Sequence, residues 1–260
     1  DVSALKTHFF PLLNISNENI EGLIKVLMSL SEEPQLFDVI ADHIITTKPK
    51  WGRAYLDQLL RDPSRDLSNY LKLYAYYPNY YHTLPAQLLK RDGVTFAHHA
   101  FMKMSKGLNM DDGFIVDPEF TQKNFQWPFG WRLKKAEVGR QTRGGVSVVY
   151  FGRGTPVLLE QVVKIERGAY TANISISGQA SRTKGYYSFR IKCWEGQNLG
   201  NLILDKSSIP LETFSMNFEV IDESCSFIQV QLIGQAGAFP DPVRTHINKI
   251  QIKPLYSGQE

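Results

Sequence analysis

From Leu5 to about Lys106 the apolar positions recur at helical spacing. Ile20, Leu23, Ile24 and Leu27 form one stripe, preceded by Asn and Ser residues able to cap a helix. Leu36, Phe37, Ile40 and Ile44 follow Pro34, and Ala54, Tyr55, Leu59 and Leu60 follow Pro49. Leu67, Tyr70, Leu71 and Tyr74 follow Pro63, Leu88 and Leu89 follow Pro85, and a last helix is expected in "VTFAHHAFMKM". After Gly107 the period drops to two. "GVSVVYF", "LLEQVVKI", "AYTANISIS", "YYSFRIKCW", "TFSMNFEVI", "SFIQVQLIG" and "THINKIQIKPL" alternate or nearly so, and are rich in β-branched and aromatic residues. Short Gly, Pro, Asn and Ser clusters separate them, the spacing of an antiparallel β-sandwich. The expected chain is an α+β multidomain protein: a helical-hairpin, repeat-like domain over residues 1–110, then a jelly-roll β-sandwich over 111–260, with the seam at 107–114.

Strand parity sorts the sandwich residues into an inner and an outer set. In "GYYSFRIKCW" the inner set is Tyr187, Phe189, Ile191 and Cys193, leaving Tyr186, Ser188, Arg190, Lys192 and Trp194 outside. In "SFIQVQL" the inner set is Ile228, Val230 and Leu232, leaving Phe227, Gln229 and Gln231 outside. In "AYTANISIS" the outer set is Thr171, Asn173, Ser175 and Ser177. An outer face holding Tyr186, Arg190, Trp194, Gln229 and Gln231 offers planar rings for sugar C–H faces and forked donors and acceptors for hydroxyls. The other reading is an ordinary solvated sheet. The connecting stretch "FIVDPEFTQKNFQWPFGWRL" adds Trp127 and Phe125, either of which could face solvent or core.

Composition narrows the partners. At 260 residues, 43% hydrophobic and 21% charged, the chain is an ordinary globular protein with room for two cores. A net charge of +3, with no basic stripe, argues against nucleic acid, and no apolar run approaches the length of a membrane span. Cys193 and Cys225 lie at the mouths of strand-like runs and are read either as buried thiols or as one disulfide. No His-x-x-x-His, Cys-x-x-Cys or Gly-x-Ser-x-Gly pattern is present. The adjacent His98 and His99 diverge on a helix and cannot share a metal on one face. Glu160, Glu166, Glu195 and Glu219 lie on or near strands, but nothing in the sequence pairs two of them as a glycosidase requires. The expectation is a protein that is not an enzyme.

The opening turn "DPEF", the following "FGWRL", the strand–turn–strand unit "LLEQVVKIERGAYTANISISGQA" and the closing "THINKIQIKPL" resemble galactose-binding-like jelly-roll carbohydrate-binding modules over residues 112–255. That resemblance implies a sandwich in which Phe120 and Trp131 pack inside. It also implies a structural calcium for which Asp117, Glu119 and Asn248 would supply oxygens, with less charge than calcium prefers. The usual Asn-Gly opening is replaced by Val116-Asp117-Pro118. The helical half resembles degenerate tetratricopeptide-like repeats, most clearly in "LLKRDGVTFAHHAFMKM", where a glycine separates two helices, although the full consensus is missing. Together the two halves resemble bacterial polysaccharide-associated proteins. The function expected is non-catalytic binding of a polysaccharide or oligosaccharide, accompanying exopolysaccharide synthesis or export, in the periplasm or outside the cell, with a cytoplasmic site left open. The ligand residues expected are Trp194, Arg190, Tyr186, Gln229, Gln231 and Trp127, and a protein partner is expected for the helices. The alternatives are a protein-interaction scaffold with a ligand-free sandwich and, third, a carbohydrate-active enzyme.

Overall fold

The computed structural model describes residues 2–15, 20–62, 73, 78–105, 114–122, 127–135, 137–141, 144–194 and 196–255. The chain divides into two units, Asp1–Lys106 and Gly107–Glu260.

The first unit is helical: α1 (Val2–Ala4), a π-helical turn (Leu5–Phe9), α2 (Phe10–Ile15), α3 (Ile20–Leu30), α4 (Pro34–Thr47), α5 (Gly52–Arg61) and α6 (Pro78–Met104). Pro34 sits in the first turn of α4, where its missing N–H costs nothing, and Lys48 ends that helix in the left-handed conformation. The expected stripe Leu36, Phe37, Ile40 and Ile44 is buried, and α5 buries Tyr55, Leu56 and Leu59. Phe10 stacks on His43 at 4.0 Å, and His43 lies parallel to Trp51 at 5.9 Å. Burial lowers the His43 pKa. Within α6 Gly93 takes φ 85° and ψ 175°, so two helices meet there across a kink. Glycine alone adopts that backbone without strain. The helix expected around Leu67 to Tyr74 lies outside the described residues, apart from the helical Leu73.

Among the described residues the second unit is an antiparallel β-sandwich of ten strands: β1 (Arg132–Leu133), β2 (Val138–Arg140), β3 (Val146–Tyr150), β4 (Val157–Lys164), β5 (Gly168–Gly178), β6 (Gly185–Cys193), β7 (Asn198–Leu204), β8 (Ile209–Val220), β9 (Phe227–Ala236) and β10 (Val243–Pro254). One five-stranded sheet, here sheet A, has the order β1-β4-β9-β6-β7; the other, sheet B, has β2-β3-β10-β5-β8. Their inner faces bury Tyr187, Phe189, Ile191, Ile228, Val230 and Leu232 from sheet A against Ile174, Ile176, Val148, Ile247 and Ile250 from sheet B. Each such side chain contributes about 1.5–3 kcal/mol by leaving water. The Thr245 hydroxyl on β10 donates to the Tyr187 hydroxyl on β6, linking the sheets through their core. Tyr150 lies against Gly185 and Gly234, and a Cβ at Gly234 would come within 2.6 Å of the ring.

The aromatic stretch before β1 closes one end of the sandwich. Ile115, Phe120 and Trp131 belong to the inter-sheet core, with the Phe120 and Trp131 rings 5.0 Å apart. The Trp131 indole N–H donates to the Asp117 carbonyl at 3.0 Å. Gln161, fully buried on β4, accepts from the Val116 N–H and donates to the Val116 carbonyl, so its amide substitutes for a strand partner. Cys193 and Cys225 are joined in a disulfide with Cα atoms 5.4 Å apart, fastening the end of β6 to the turn before β9.

Candidate functional site

The strand register aligns one residue from each strand of sheet A across its outer face. Arg132 pairs with Glu160, Glu160 with Gln231, Gln231 with Arg190, and Arg190 with Asn201. At roughly 4.8 Å per strand the row spans about 19 Å. Its side chains are linked. Arg132 Nη2 donates to Glu160 Oε1 at 2.8 Å, Gln231 Nε2 donates to Glu160 Oε2 at 3.2 Å, and Arg190 Nη2 donates to Gln231 Oε1 at 2.8 Å. The Ser188 hydroxyl donates to Asn201 Oδ1 beside the row. The amide of Gln231 has one stable orientation, because turning it over would set its NH2 against a guanidinium and its oxygen against a carboxylate.

Parity places these residues on the outer side, yet much of the face is covered. Glu160 is 3% and Gln231 5% exposed, and Val162, Ile233 and Phe227 on the same side are buried too, although none of the five belongs to the inter-sheet core. The face is therefore a packed layer, not the ordinary solvated sheet of the other reading. Gln231, expected as a ligand contact, is enclosed with both ends of its amide engaged, so it orients Arg190. Arg190, Lys192 and Gln229 remain half-buried. Gln229 sits opposite Val162 on one side and Lys192 on the other, and its Oε1 is buried without a hydrogen-bond partner.

Trp127 stands at the β1 side of the row. The Arg132 guanidinium lies 5.2 Å from the centre of its ring, and its buried indole N–H has no partner. The other expected rings lie elsewhere. Trp194 is two residues beyond Lys192, past the end of β6, with its backbone N–H donating to the Phe227 carbonyl at 2.8 Å. Tyr186 packs against the inter-sheet core at the opposite end of β6, beneath Arg182 at 5.9 Å. Each is about 13 Å along the strand from Arg190. The structure thus gathers Arg190, Gln229 and Gln231, sets Trp127 at one side of the row, and separates Tyr186 and Trp194 to the two ends of β6. Phe125 lies outside the described residues. Arg132 and Asn201, and the part played by Glu160, were missed. The available signal was the pair Glu160-Gln161 interrupting an otherwise apolar strand, since buried charge is rare unless paired.

The residues expected at calcium do not fit it. Asp117, with a side chain 1% exposed, accepts at Oδ1 from the Thr121 N–H (2.7 Å), the Thr121 hydroxyl (3.1 Å) and the Gln122 N–H (3.1 Å). Its Oδ2 faces the Arg140 guanidinium at 3.0 Å. Glu119 is paired with Lys249 at 2.9 Å. Asn248, at a register shift between Ile247 and Lys249, keeps a buried Oδ1 without a partner. Both carboxylates are thus already neutralised by protein cations. Among the described residues no group of three or more His, Cys, Asp or Glu is placed to hold a metal.

Over the outer face of sheet B lies a groove of about 590 Å³, lined by Ser175, Thr213, His246, Asn248 and the Glu119–Lys249 pair, among others. It contains no aromatic ring apart from the His246 imidazole.

No family model matches the chain, and no curated protein matches it. Among solved structures the chain is similar to TmCBM61 in complex with beta-1,4-galactotriose, at 14% identity and a TM-score of 0.39, over 55% of this chain and 99% of that one. It is similar to a CBM4 structure at 14% identity and a TM-score of 0.37, over 56% and 99% of the two chains. Family 16 Carbohydrate Binding Module-2 is similar at 13% identity and a TM-score of 0.36, over 54% and 99%.

Proposed function

We propose that the sandwich is a non-catalytic carbohydrate-binding domain and that its site is the outer face of sheet A. The observation that carries this reading is the polar row from Arg132 to Asn201 together with two orphaned polar atoms beside it, Gln229 Oε1 and Trp127 Nε1. A buried acceptor and a buried donor without partners cost on the order of 1–3 kcal/mol each, which a hydroxyl-bearing ligand would recover. Trp127 supplies the flat apolar surface that a sugar ring needs, and the cross-strand row supplies directional donors. A hydrolytic role lacks a partner for Glu160, whose two oxygens are engaged by Arg132 and Gln231.

The disulfide supports an extracellular or periplasmic location. Among the described residues no helix is long and apolar enough to cross a membrane. Within this proposal the helical unit docks on a protein of an exopolysaccharide synthesis or export apparatus.

The test is titration of the full chain against a panel of soluble glycans, with Trp127→Ala and Gln229→Leu as variants. At least about a tenfold loss in each folded variant is expected from losing one stacking or hydrogen-bonding partner. Unchanged binding in both variants would move the site off this face. A panel with no binder would leave the protein-interaction scaffold as the better reading.

A further inference from the structure

Six of the seven described arginines of the sandwich fall into two groups. Arg132, Arg140, Arg167 and Arg182 each hold a carboxylate, respectively Glu160, Asp117, Glu223 and Asp205. Arg153 and Arg244 are exposed, where water solvates the charge. Arg190 belongs to neither. It is half-buried, and its Nε and Nη2 both donate to the single neutral oxygen of Gln231, at 3.3 and 2.8 Å. Among the described residues it makes no ion pair. A guanidinium has five N–H donors, so most of this fork is unused while its charge is partly withdrawn from water. The nearest carboxylate in the row, Glu160, is two strands away, about 10 Å, and is already neutralised by Arg132. Lys192, two residues along β6 on the same side, is also half-buried and makes no ion pair among the described residues. The locked amide of Gln231 keeps its oxygen toward Arg190, which fixes the guanidinium in plane without neutralising it.

From this arrangement, and resting on the sugar-binding reading above, we infer that the ligand is an anionic glycan, with the acidic group of one sugar received by Arg190 beside Lys192. The planar fork matches a carboxylate in two-point contact, and lysine adds a point charge at the rim. Gln229 Oε1, which needs a donor, lies on the neighbouring strand opposite Lys192, and rotation of this half-buried side chain would turn it to a sugar hydroxyl. A bare anion without hydroxyls, such as sulfate, satisfies the cations and leaves that acceptor unmet. An acidic sugar satisfies both. The same charge on a glycan could be a uronate carboxylate or a sulfate ester.

The experiment is calorimetric titration of the full chain with polygalacturonate, with the same polymer after reduction of its carboxyl groups, with a sulfated galactan and with polyglutamate. Binding to polygalacturonate or the sulfated galactan at least about tenfold tighter than to the reduced polymer, as one charge-assisted hydrogen bond predicts, supports the inference and identifies the anion. Arg190→Gln should erase that preference while retaining the weaker neutral binding, Arg190→Lys should restore it in part, and Arg244→Gln on sheet B should leave it unchanged. Equal affinity for charged and reduced polymers overturns the acidic-ligand inference and leaves the sugar-binding reading standing. Equal affinity for polyglutamate reduces the face to a non-selective cationic surface and also overturns it. Absence of binding to every glycan overturns both. Circular dichroism of each variant distinguishes lost recognition from lost folding.

Discussion

The two outer faces of the sandwich satisfy their polar groups in opposite ways. On sheet B the residues are short and directly opposed. Thr171 donates to Asn217 at 2.8 Å, Ser215 donates to Asn173 at 2.7 Å, and Ser175 and Thr213 share a bond of 2.7 Å. Each bond joins registered neighbours on β5 and β8, is open to water and depends on nothing further along the sheet. On sheet A the residues are long and covered, and satisfaction passes from strand to strand, ending in a guanidinium that holds only a neutral oxygen. Cross-strand pairing alone is therefore no sign of a site. What marks one is a covered face whose bonds do not close, and the separate orphan on sheet B, Asn248 Oδ1, sits at the register shift of β10 against β5.

The largest test of this contrast removes the clamp on sheet A. Replacing Cys193 and Cys225 together by Ser opens a loop spanning 32 residues and should cost about 3–4 kcal/mol in urea unfolding. Amide exchange should rise first in β6 and the start of β9 and leave β5 and β8 protected. A loss below about 1 kcal/mol would mean that sheet A holds its geometry without the bridge.

The next perturbs the link between the sheets. Burial pushes the Tyr187 hydroxyl up to about 12 from 10.0, and the accepted Thr245 bond only partly offsets this. Because the folded value is raised, the folded chain binds more protons than the unfolded one between those values. The stabilisation is complete below pH 10 and disappears as pH rises through 12, a loss on the order of 2–3 kcal/mol. Unfolding free energy measured against pH should fall across that window in the native chain and fall less in Tyr187→Phe, where Tyr150 and Tyr170, also raised by burial, still contribute.

Smaller effects separate the faces themselves. Gln231→Leu strips a bond from both Glu160 and Arg190 in a covered layer and should cost about 2 kcal/mol by chemical denaturation. The smallest expected change is Ser215→Ala on sheet B, within about 0.5 kcal/mol, since water replaces the lost partner. If the two substitutions cost the same, the distinction between closed and open polar faces is wrong.

Much of the fold was legible because alternation records which side of a strand is wetted on at least one face. The inner residues Tyr187, Phe189, Ile191 and Ile228 follow directly from it, as do the helical stripes on α4 and α5. Parity assigns a side but does not reveal what lies over it, so Gln231 and Phe227, which it places outside, are nonetheless buried. The row was less accessible still. Its bonds join residues 41 and 71 positions apart, across a strand order that skips through the chain, and Arg132 lies in a strand of two residues with no alternation to detect. Tyr186 and Trp194 had the right parity, but four residues of extended chain separate each from Arg190, a distance that side-chain direction alone does not convey.

The fixed amide of Gln231 also has an evolutionary consequence. Glutamine and glutamate codons differ by a single nucleotide, but Gln231→Glu, while giving Arg190 a counter-ion, would also set a carboxylate against Glu160 in a covered layer. The neutral amide is therefore the one state of this position that serves both of its neighbours, and a drift in the charge of this face would have to begin at another residue.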